Sequence, residues 1–395
     1  MKHLQDFSWK GKRALVRVDF NVPMKGEEIQ DTARIDAALP TIRYLLGEGA
    51  RVVLMSHLGR PKGEAKPEFS LAPVAKALEE KLGQKVHFLP SDVVVGEKVK
   101  EGVDALKDGE VALLENTRYR KEEEKNGEEF AKELASLGDI YVNDAFGTSH
   151  RAHASNVGVS ALLPSTFGFL VAKEVEALSG MLNDPKRPFV AILGGAKVSD
   201  KIGVIEHLLE RIDGLIIVGA MANTFLRAKG YDTGISLVEE ERIGLAKEVM
   251  EKAKEKNVDL VLPVDLVVAK SFDAKEGRVV SIEEIGDDDM ALDIGPKSLE
   301  VMGELLKKAK NVIWNGPAGV FEKEAFAKGT MGLVDILADG DAEVIVGGGD
   351  SASAVKLSGR SDAFAHISTG GGASLEFMEG KVLPGIEAIE GGSHA

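Results

Sequence analysis

The chain has 395 residues, enough for two domains with separate hydrophobic cores. Its 49 Lys and Arg residues against 64 Asp and Glu residues give a net charge of −15, which argues against nucleic acid as a partner. There is no cysteine, so a disulfide framework, a thiolate nucleophile and a cysteine-ligated metal are excluded.

The first half of the chain alternates apolar runs with amphipathic segments, a pattern typical of strands followed by helices. In the helix predicted over Ile35–Leu46, the apolar residues fall on one face. This alternation indicates an α/β fold with helices on both faces of a parallel sheet and ligands at the carboxyl ends of the strands. The other elements predicted here are strands over Arg13–Asp19, Arg51–Met55, Val86–Leu89, Val111–Leu114 and Ile140–Asn143, and a helix over Leu71–Leu82.

A domain boundary is predicted near Leu163–Gly168, just before a helix-like segment over Phe169–Leu182. After that helix ends at Asn183–Lys186, a second α/β series begins at Phe189. Its predicted strands are Phe189–Leu193, Leu215–Val218, Val312–Trp314 and Glu343–Val346. The sequence thus predicts two α/β halves of similar size.

Cationic side chains recur beside the strand ends of the first half. Arginine grips phosphate or carboxylate with two N–H donors, and histidine adds another donor. A single such residue is well explained by a surface ion pair, but the set indicates a site for a small, strongly anionic ligand. The set comprises Arg17, Arg34, His57, Arg60, Arg118, His150, Arg151 and His153, together with the loop Asp19–Asn21. The charged run Lys121–Glu129, by contrast, is predicted to be only a solvated loop and helix start.

Glycine-rich turns mark the second half, and several follow predicted strands directly. Glycine lets backbone N–H groups approach an anion, and a helix N-terminus adds a favourable dipole. In Gly347–Ser351, a glycine cradle followed by a carboxylate suits phosphates and a hard cation such as Mg²⁺; the alternative is a tight turn with a helix cap. Lys197 and Lys201 are expected on one side of a first helical turn, unless they are a solvated pair. Glu322 is equally a candidate for ribose binding or an exposed acid.

The standard nucleotide signatures are missing from the sequence. No stretch matches G-x-x-x-x-G-K-[ST] or G-x-G-x-x-G, and the protein-kinase motifs are absent. A nucleotide enzyme of another α/β family remains, with two alternatives: a dehydrogenase with an atypical dinucleotide site, and an inactive nucleotide-binding or scaffold protein. The arginine set disfavours the first, and the presence of Arg34, Lys197, Lys201 and Asp350 disfavours the second.

Taken in order, the motifs resemble those of the phosphoglycerate kinase family, from near Arg13 to near Ile386. No single motif carries the resemblance, which rests on all of them in sequence. The motifs are Arg17–Pro23, Ser56–Pro61, Glu115–Arg118, Asn143–His153, Gly194–Lys201, Trp314–Pro317, Gly347–Ser351 and Ser368–Leu375.

The resemblance implies an α/β fold with two doubly wound parallel-sheet domains facing each other across a hinge-bending cleft. The expected bounds are 1–168 plus about 378–395 for a phosphoglycerate-binding domain, 169–183 for an interdomain helix and 184–377 for a nucleotide-binding domain. It also implies a reversible phosphoryl transfer between 1,3-bisphosphoglycerate and ADP that gives 3-phosphoglycerate and ATP, with Mg²⁺ as cofactor.

The family pattern further implies roles for individual residues. Phosphoglycerate would be surrounded by Asp19, Phe20, Asn21, Arg34, His57, Leu58, Gly59, Arg60, Arg118 and Arg151. The nucleotide positions are Lys201, Ala291, Glu322, Gly348, Gly349, Asp350 and Ser351, with Asp350 as the metal ligand. The charge of the transferred group would be shared by Arg34, Lys197, Lys201 and the amides of Gly371 and Gly372.

Three positions depart from the family pattern. Val218 and Ala291 stand where a glycine is common, and Ala318 replaces a larger residue. None of these positions is charged, so the departures put base affinity and selectivity in doubt and leave the reaction untouched.

Assembly and location are predicted from what the sequence lacks. No heptad repeat or long exposed apolar stripe is evident, so we expect a monomer. Met1–Asp6 has no apolar signal core, and no apolar run approaches the roughly 18 residues of a membrane span, so we expect a cytoplasmic protein without a membrane partner.

Overall fold

The computed structural model describes residues 1–391, so the last four positions of the predicted C-terminal tail lie outside the described residues. The chain divides into two compact units, one formed by Met1–Val175 with Val382–Ala395 and the other by Glu176–Lys381. Each unit contains a six-stranded sheet whose neighbouring strands are parallel. The predicted α/β class is confirmed.

The first unit is built around one sheet and a small antiparallel hairpin. Its strands are β1 (Arg13–Arg17), β2 (Met24–Lys25), β3 (Glu28–Ile29), β4 (Arg51–Met55), β5 (Val86–Leu89), β6 (Val111–Leu114), β7 (Ile140–Asn143) and β8 (Ser165–Phe167). The sheet order is β5-β6-β4-β1-β7-β8, and β2 pairs with β3. The helices are α1 (Ala33–Gly47), α2 (Ala72–Leu82), α3 (Glu97–Asp104), α4 (Glu128–Ala135) and α5 (Phe169–Asn183), the last of which continues beyond this unit.

Strand β1 lies in the middle of the first sheet, where Leu15 is paired with Val53 on one side and Tyr141 on the other. All three residues are fully buried, because helices cover both faces of a parallel sheet. The strand ends at Arg17, two residues earlier than predicted. Asp19 therefore belongs to the loop at the carboxyl edge of the sheet.

The second unit repeats this architecture. Its strands are β9 (Phe189–Leu193), β10 (Gly214–Ile217), β11 (Asp259–Val261), β12 (Asp265–Ala269), β13 (Arg278–Ser281), β14 (Met290–Ile294), β15 (Asn311–Asn315), β16 (Glu343–Gly347) and β17 (His366–Ile367). The parallel sheet has the order β11-β10-β9-β15-β16-β17. The helices are α6 (Val198–Leu209), α7 (Met221–Ala228), α8 (Ile243–Glu255), α9 (Pro296–Lys308), α10 (Lys328–Asp339), α11 (Gly349–Ser358) and α12 (Gly372–Met378).

A three-stranded antiparallel sheet, ordered β13-β12-β14, was not predicted from the sequence. Strand β13 has two exposed and two half-buried residues, so it shows no continuous apolar run. The sheet matters for the site because β14 carries Ala291 and Asp293.

The C-terminal helix α13 (Pro384–Glu390) belongs to the first unit and packs on the loop that follows β7. The Gly385 N–H donates to the Ser149 carbonyl at 2.8 Å, and the Gly385 carbonyl accepts from Asn143 Nδ2 at 3.3 Å. A side chain at position 385 would stand 2.9 Å from the Ser149 backbone, so only glycine fits. Among residues 1–391, no helix combines the length and the hydropathy that a bilayer crossing requires.

Candidate active site

A pocket of about 380 Å³ in the first unit collects arginines from separate loops. It is lined by Arg60, Arg118, Glu124, Arg151, Ala152 and His153. Arg118 is fixed by a hydrogen bond from Nη1 to the Gly59 carbonyl at 3.0 Å, and its Nε lies 3.6 Å from Glu124 Oε1. The structure thus brings together Arg60, Arg118 and Arg151, as the pattern of strand ends suggested.

The interpretation of Lys121–Glu129 as a merely solvated run was wrong in one respect. Glu124 forms a wall of the arginine pocket, and Glu123 is fully buried, where its Oε1 accepts the Ser155 N–H at 2.8 Å. A charge run predicts exposure on average, but it does not show that single carboxylates turn inward toward cations.

His57 is held as a neutral donor beneath this cluster. Arg17 is buried, and its Nη2 contacts His57 Nδ1 at 2.9 Å. Because a guanidinium can only donate, Nδ1 must accept, which leaves the proton on Nε2. Burial, and then repulsion from Arg17 and Arg118, lower the pKa of His57 well below its usual value. Both arguments give a neutral imidazole with an Nε2–H donor.

The buried Arg17 is in turn anchored to the loop that carries His153. Its Nε donates to Ser155 Oγ at 2.9 Å, within a π-helical turn over Ala154–Gly158. Such turns are rare and occur frequently at functional sites. The pKa of His153 is also lowered, first by its burial. The two histidines therefore add donors to the cluster without adding positive charge near neutral pH.

Arg34 lies at the start of α1, beside the loop that follows β1. Its Nη1 donates to Asp19 Oδ1 at 3.2 Å and to the Asn21 carbonyl at 2.7 Å. Asn21 Oδ1 accepts the Gly59 N–H at 2.9 Å, and Gly59 has a φ of +60°. The side chain of Arg34 is 43% exposed. Four of the predicted residues thus form one hydrogen-bonded group with a solvent-accessible guanidinium.

Two residues assigned to substrate binding have side chains in the core. Phe20 is fully buried and Leu58 is 3% exposed. The Phe20 N–H donates to Ser56 Oγ at 2.9 Å, and the Leu58 carbonyl accepts from Asn116 Nδ2 at 2.6 Å. These two residues shape the loops, and their side chains pack in the core.

The second unit has a glycine cradle of about 290 Å³ at the carboxyl ends of β9, β15 and β16. Its lining comprises Gly195, Lys201, Asn315, Gly316, Pro317, Gly348, Gly349, Asp350, Ser351, Gly371, Gly372 and Leu375. Helix α11 enters it at Gly349, directly after Gly348 with a φ of +87°. Helix α12 enters it at Gly372. Backbone N–H groups from two helix starts therefore face one small space, as anion binding requires.

Lys201 is the cation of this cradle. Its ammonium group donates to Asn315 Oδ1, and burial lowers its pKa, with Asp200 and Asp350 acting in the opposite direction. Lys197 is placed differently, since it is the N-cap residue of α6, with φ −125° and ψ 129°. The prediction that Lys197 and Lys201 lie on one side of a helical turn requires both residues to be helical, so it was wrong for Lys197. The Lys197 side chain is exposed and does not line the cradle.

An apolar pocket of about 450 Å³ adjoins the cradle, and Gly195, Pro317 and Asp350 line both spaces. Its apolar residues include Ile235, Leu237, Leu266, Phe272, Met290, Ala318 and Val320. The predicted residues Ala291 and Glu322 also line it, whereas Val218 is fully buried behind Gly219. The volume is in the range of small-molecule sites. Asp293 closes one wall, with a pKa raised to about 7 by burial.

The second unit thus has an apolar pocket beside a glycine cradle suited to anions, and the first unit has a cationic pocket. An α/β fold with these two kinds of site is typical of phosphoryl-transfer enzymes that act on a nucleotide and a small anion.

The comparisons with known proteins identify the family. Residues 4–381 match the family model described as phosphoglycerate kinase. The phosphoglycerate kinases of Clostridium perfringens and Finegoldia magna are 59% and 57% identical over 389 and 390 residues, with 98% of this chain covered in each case and 98% and 99% of the relatives. The chain belongs to the phosphoglycerate kinase family.

Solved structures agree with this result. The phosphoglycerate kinase of Coxiella burnetii superposes with a TM-score of 0.91 at 43% identity, and 98% of each chain is covered. That of Pyrococcus horikoshii gives 0.83 at 37% identity, with 99% of this chain and 98% of the other covered. The chain is therefore an enzyme, a phosphotransferase with a carboxyl group as acceptor, and neither of the two alternative readings is supported.

Proposed function

We propose that the first unit binds 1,3-bisphosphoglycerate or 3-phosphoglycerate, that the second binds ADP or ATP, and that the phosphoryl group passes directly between them. The observation that carries this proposal is the continuity of the 450 Å³ apolar pocket with the glycine cradle through Asp350. A base fits the apolar end, and phosphates fit the cradle. The direct test is ATP formation from ADP and 1,3-bisphosphoglycerate, with a reaction lacking divalent metal as control.

In the phosphoglycerate half, Arg60, Arg118 and Arg151 hold the phosphate that is not transferred. Their pocket is polar, and the guanidinium fork matches phosphate geometry. His57 contributes a neutral Nε2–H donor. It adds specificity for the phosphate without adding a positive charge next to Arg17 and Arg118. Asp19 and Asn21 orient Arg34, and the Asp19 carboxylate also suits the hydroxyl of the substrate as an acceptor.

In the nucleotide half, Ala291 forms part of the pocket wall, and Glu322 suits the ribose hydroxyls. Gly348, Gly349 and Ser351 cradle phosphates at the start of α11. The Ser351 hydroxyl already accepts the Gly316 N–H at 2.7 Å, so it also fixes the opposite loop of the cradle.

Mg²⁺ fits this site as a partner of the nucleotide. Among the described residues, no group of three or more His, Asp or Glu side chains can hold a metal ion alone. Mg²⁺ commonly takes one or two carboxylates together with substrate phosphates. Asp350, exposed where pocket and cradle meet, is such a carboxylate. When bound, the ion neutralises charge on the phosphate oxygens.

In the transfer step, a carboxylate oxygen of 3-phosphoglycerate forms a bond to the γ-phosphorus of ATP, and the bond to the bridging oxygen breaks, leaving its electron pair on ADP. The attacking carboxylate is already ionised, so no general base is required. Arg34, Lys201 and the amides of Gly371 and Gly372 share the charge of the group in flight.

Arg34 and Lys201 belong to different units, so we propose that the units approach each other during turnover, excluding water from the acyl phosphate. Lys197, exposed at the N-cap of α6, joins the transferred group only at that stage. The domain bounds given above, a monomeric state and a cytoplasmic location stay predictions from the sequence.

The arginine pocket leads to a prediction about substrate affinity. Arg118→Ala is expected to raise KM for 3-phosphoglycerate about tenfold or more with a small change in kcat, since it removes ground-state binding. Added salt should raise KM of the parent through screening, and sulfate should compete with 3-phosphoglycerate. Steady-state kinetics measure both effects.

The matched control is Arg51→Ala. Arg51 lies at the start of β4 and pairs with Asp108 at 3.0 Å, away from the pocket. If Arg118→Ala bound 3-phosphoglycerate as well as this control, the pocket would be structural and its assignment wrong.

The metal assignment leads to a second prediction. Asp350→Asn should raise the Mg²⁺ concentration needed for half-maximal activity by about tenfold or more and leave KM for 3-phosphoglycerate nearly unchanged, because the amide lacks the charge that a hard cation requires. A Mg²⁺ titration at fixed nucleotide measures this. Asp335→Asn, at an exposed site paired with Arg360, is the control. An unchanged Mg²⁺ dependence in Asp350→Asn would count against Asp350 as ligand.

A further inference from the structure

Helix α1, which presents Arg34 in its first turn, meets the start of α5 at one buried hydroxyl group. Thr41 is fully buried, and its Oγ1 accepts the Phe169 N–H at 3.0 Å. Residues seven apart in an α-helix lie on nearly the same face, about 10.5 Å apart along the axis. Arg34 and Thr41 therefore lie on one face of α1. Arg34 is at its solvent-exposed end and Thr41 at its buried end.

Asp144, at the end of β7, holds the other side of this junction. Its Oδ1 accepts the Leu170 N–H at 3.0 Å. Burial raises the pKa of Asp144 to about 7, and the Thr41 hydroxyl and the Leu170 and Val171 amides oppose that rise. The Asp144 N–H donates to the Arg17 carbonyl at 2.9 Å, which ties the carboxylate to the central strand. A carboxylate beside the first N–H groups of a helix stabilises that end of the helix.

The junction is closely packed. The Asp144 carboxylate occupies the space where a Cβ of residue 168 would stand, so Gly168 admits no side chain. The rings of Tyr44 and Phe169 meet edge to face, with centroids 5.2 Å apart. The second half of α1 thus contacts the start of α5 through a hydrogen bond and an aromatic pair.

Within α1, this contact lies next to a position where the helix lacks one of its own backbone hydrogen bonds. Pro40, directly before Thr41, lies inside the helix. A proline removes the N–H that would bond to the carbonyl four residues earlier, and its ring disturbs the preceding turn. The direction of the N-terminal turns, and with it the place of Arg34, consequently depends on contacts from outside the helix.

We propose that Thr41, supported by Asp144, is a positioning residue for phosphoryl transfer, fixing α1 against the start of α5 and thereby placing the Arg34 guanidinium. This inference rests on the proposed role of Arg34. Helix α5 runs from the first unit into the second, so the element that fixes Arg34 is also the one that links the two units along the chain.

The test is a double-mutant cycle between Thr41 and Arg34. Thr41→Val keeps the shape of the side chain but cannot accept the Phe169 N–H. We expect kcat to fall about ten- to a hundredfold with both KM values nearly unchanged, since a displacement of about 1 Å can cost 10²-fold in rate. Thr41→Ser, which keeps the hydroxyl, should restore most of the parental kcat. In an Arg34→Ala background, Thr41→Val should change kcat less than twofold.

The matched control is Thr166→Val in β8. Thr166 is also fully buried, but its hydroxyl has no hydrogen-bond partner within the described residues, so parental kcat is expected. Thermal unfolding of each variant shows that it is folded at the assay temperature. A parental kcat in Thr41→Val, or an equal loss with and without Arg34, would overturn the positioning role alone. A parental kcat in Arg34→Ala would overturn the proposed role of Arg34 and this inference with it.

Discussion

Replacement of Arg34 by alanine is expected to lower kcat by roughly 10³–10⁵-fold with little change in either KM, the size typical of an arginine that contacts a transferring phosphoryl group. The side chain is 43% exposed, and within residues 1–391 its hydrogen bonds to Asp19 and Asn21 use only Nη1. Among the described residues the other N–H groups of Arg34 make no hydrogen bond, and in the proposed mechanism they donate to the transferred phosphoryl group. A contact made mainly in the transition state lowers kcat and leaves ground-state affinity unchanged.

Two variants sharpen this test. Arg34→Lys should recover only part of the loss, because a point charge cannot reproduce a two-pronged contact. Arg43→Ala removes another arginine of α1, one whose Nη2 donates to the Lys81 carbonyl at 2.8 Å, and should leave kcat near the parental value. A loss confined to KM would make Arg34 an ordinary binding residue.

Small-angle scattering of the doubly liganded enzyme should show a smaller radius of gyration than the free protein; an equal radius would contradict closure.

Most strands of the two parallel sheets could be predicted from the sequence because they form apolar runs, but β8, β11 and β17, of three, three and two residues, are too short for such a pattern. Phe189–Leu193 is a continuous apolar run, and its bounds agree with the structure. The β12–β14 sheet could not be predicted in this way, since Val279 is 55% exposed and the apolar pattern of β13 is broken. The apolar pattern of a sequence indicates burial, so a partly exposed antiparallel strand such as β13 cannot be predicted from it.

The candidate site likewise has a part that could be predicted from the sequence and a part that could not. Charged and glycine-rich positions at strand ends could be predicted because parallel strands present their carboxyl ends at one edge. The apolar pocket could not, since Ile235, Phe272 and Met290 come from separate segments that no motif joins. The conformation of Lys197 and the inward turn of Glu123 also depend on tertiary contacts that spacing does not report.

The second large effect concerns Lys201. Lys201→Met is expected to lower kcat by about 10²–10³-fold, the usual cost of removing one preorganised donor from a developing negative charge. Methionine keeps most of the length and the apolar stem but cannot donate, so the cradle loses its cation. Lys256→Met, at an exposed lysine that pairs with Glu210 at 2.6 Å, is the control and should retain parental kcat. A similar loss in both variants would contradict a specific role.

The pH dependence distinguishes this role from simple packing. Burial lowers the pKa of Lys201, so in the free enzyme its positive charge is lost at a lower pH than that of an exposed lysine. Since kcat/KM reports the free enzyme, kcat/KM for nucleotide should fall as pH rises through that pKa. Bound phosphates favour the ammonium form, so the corresponding fall in kcat should lie at higher pH. Lys201→Arg keeps its charge throughout this range and should lack the alkaline limb, whatever its absolute rate. An alkaline limb at the same pH in Lys201→Arg would assign the titration to another group and remove Lys201 from the transfer step.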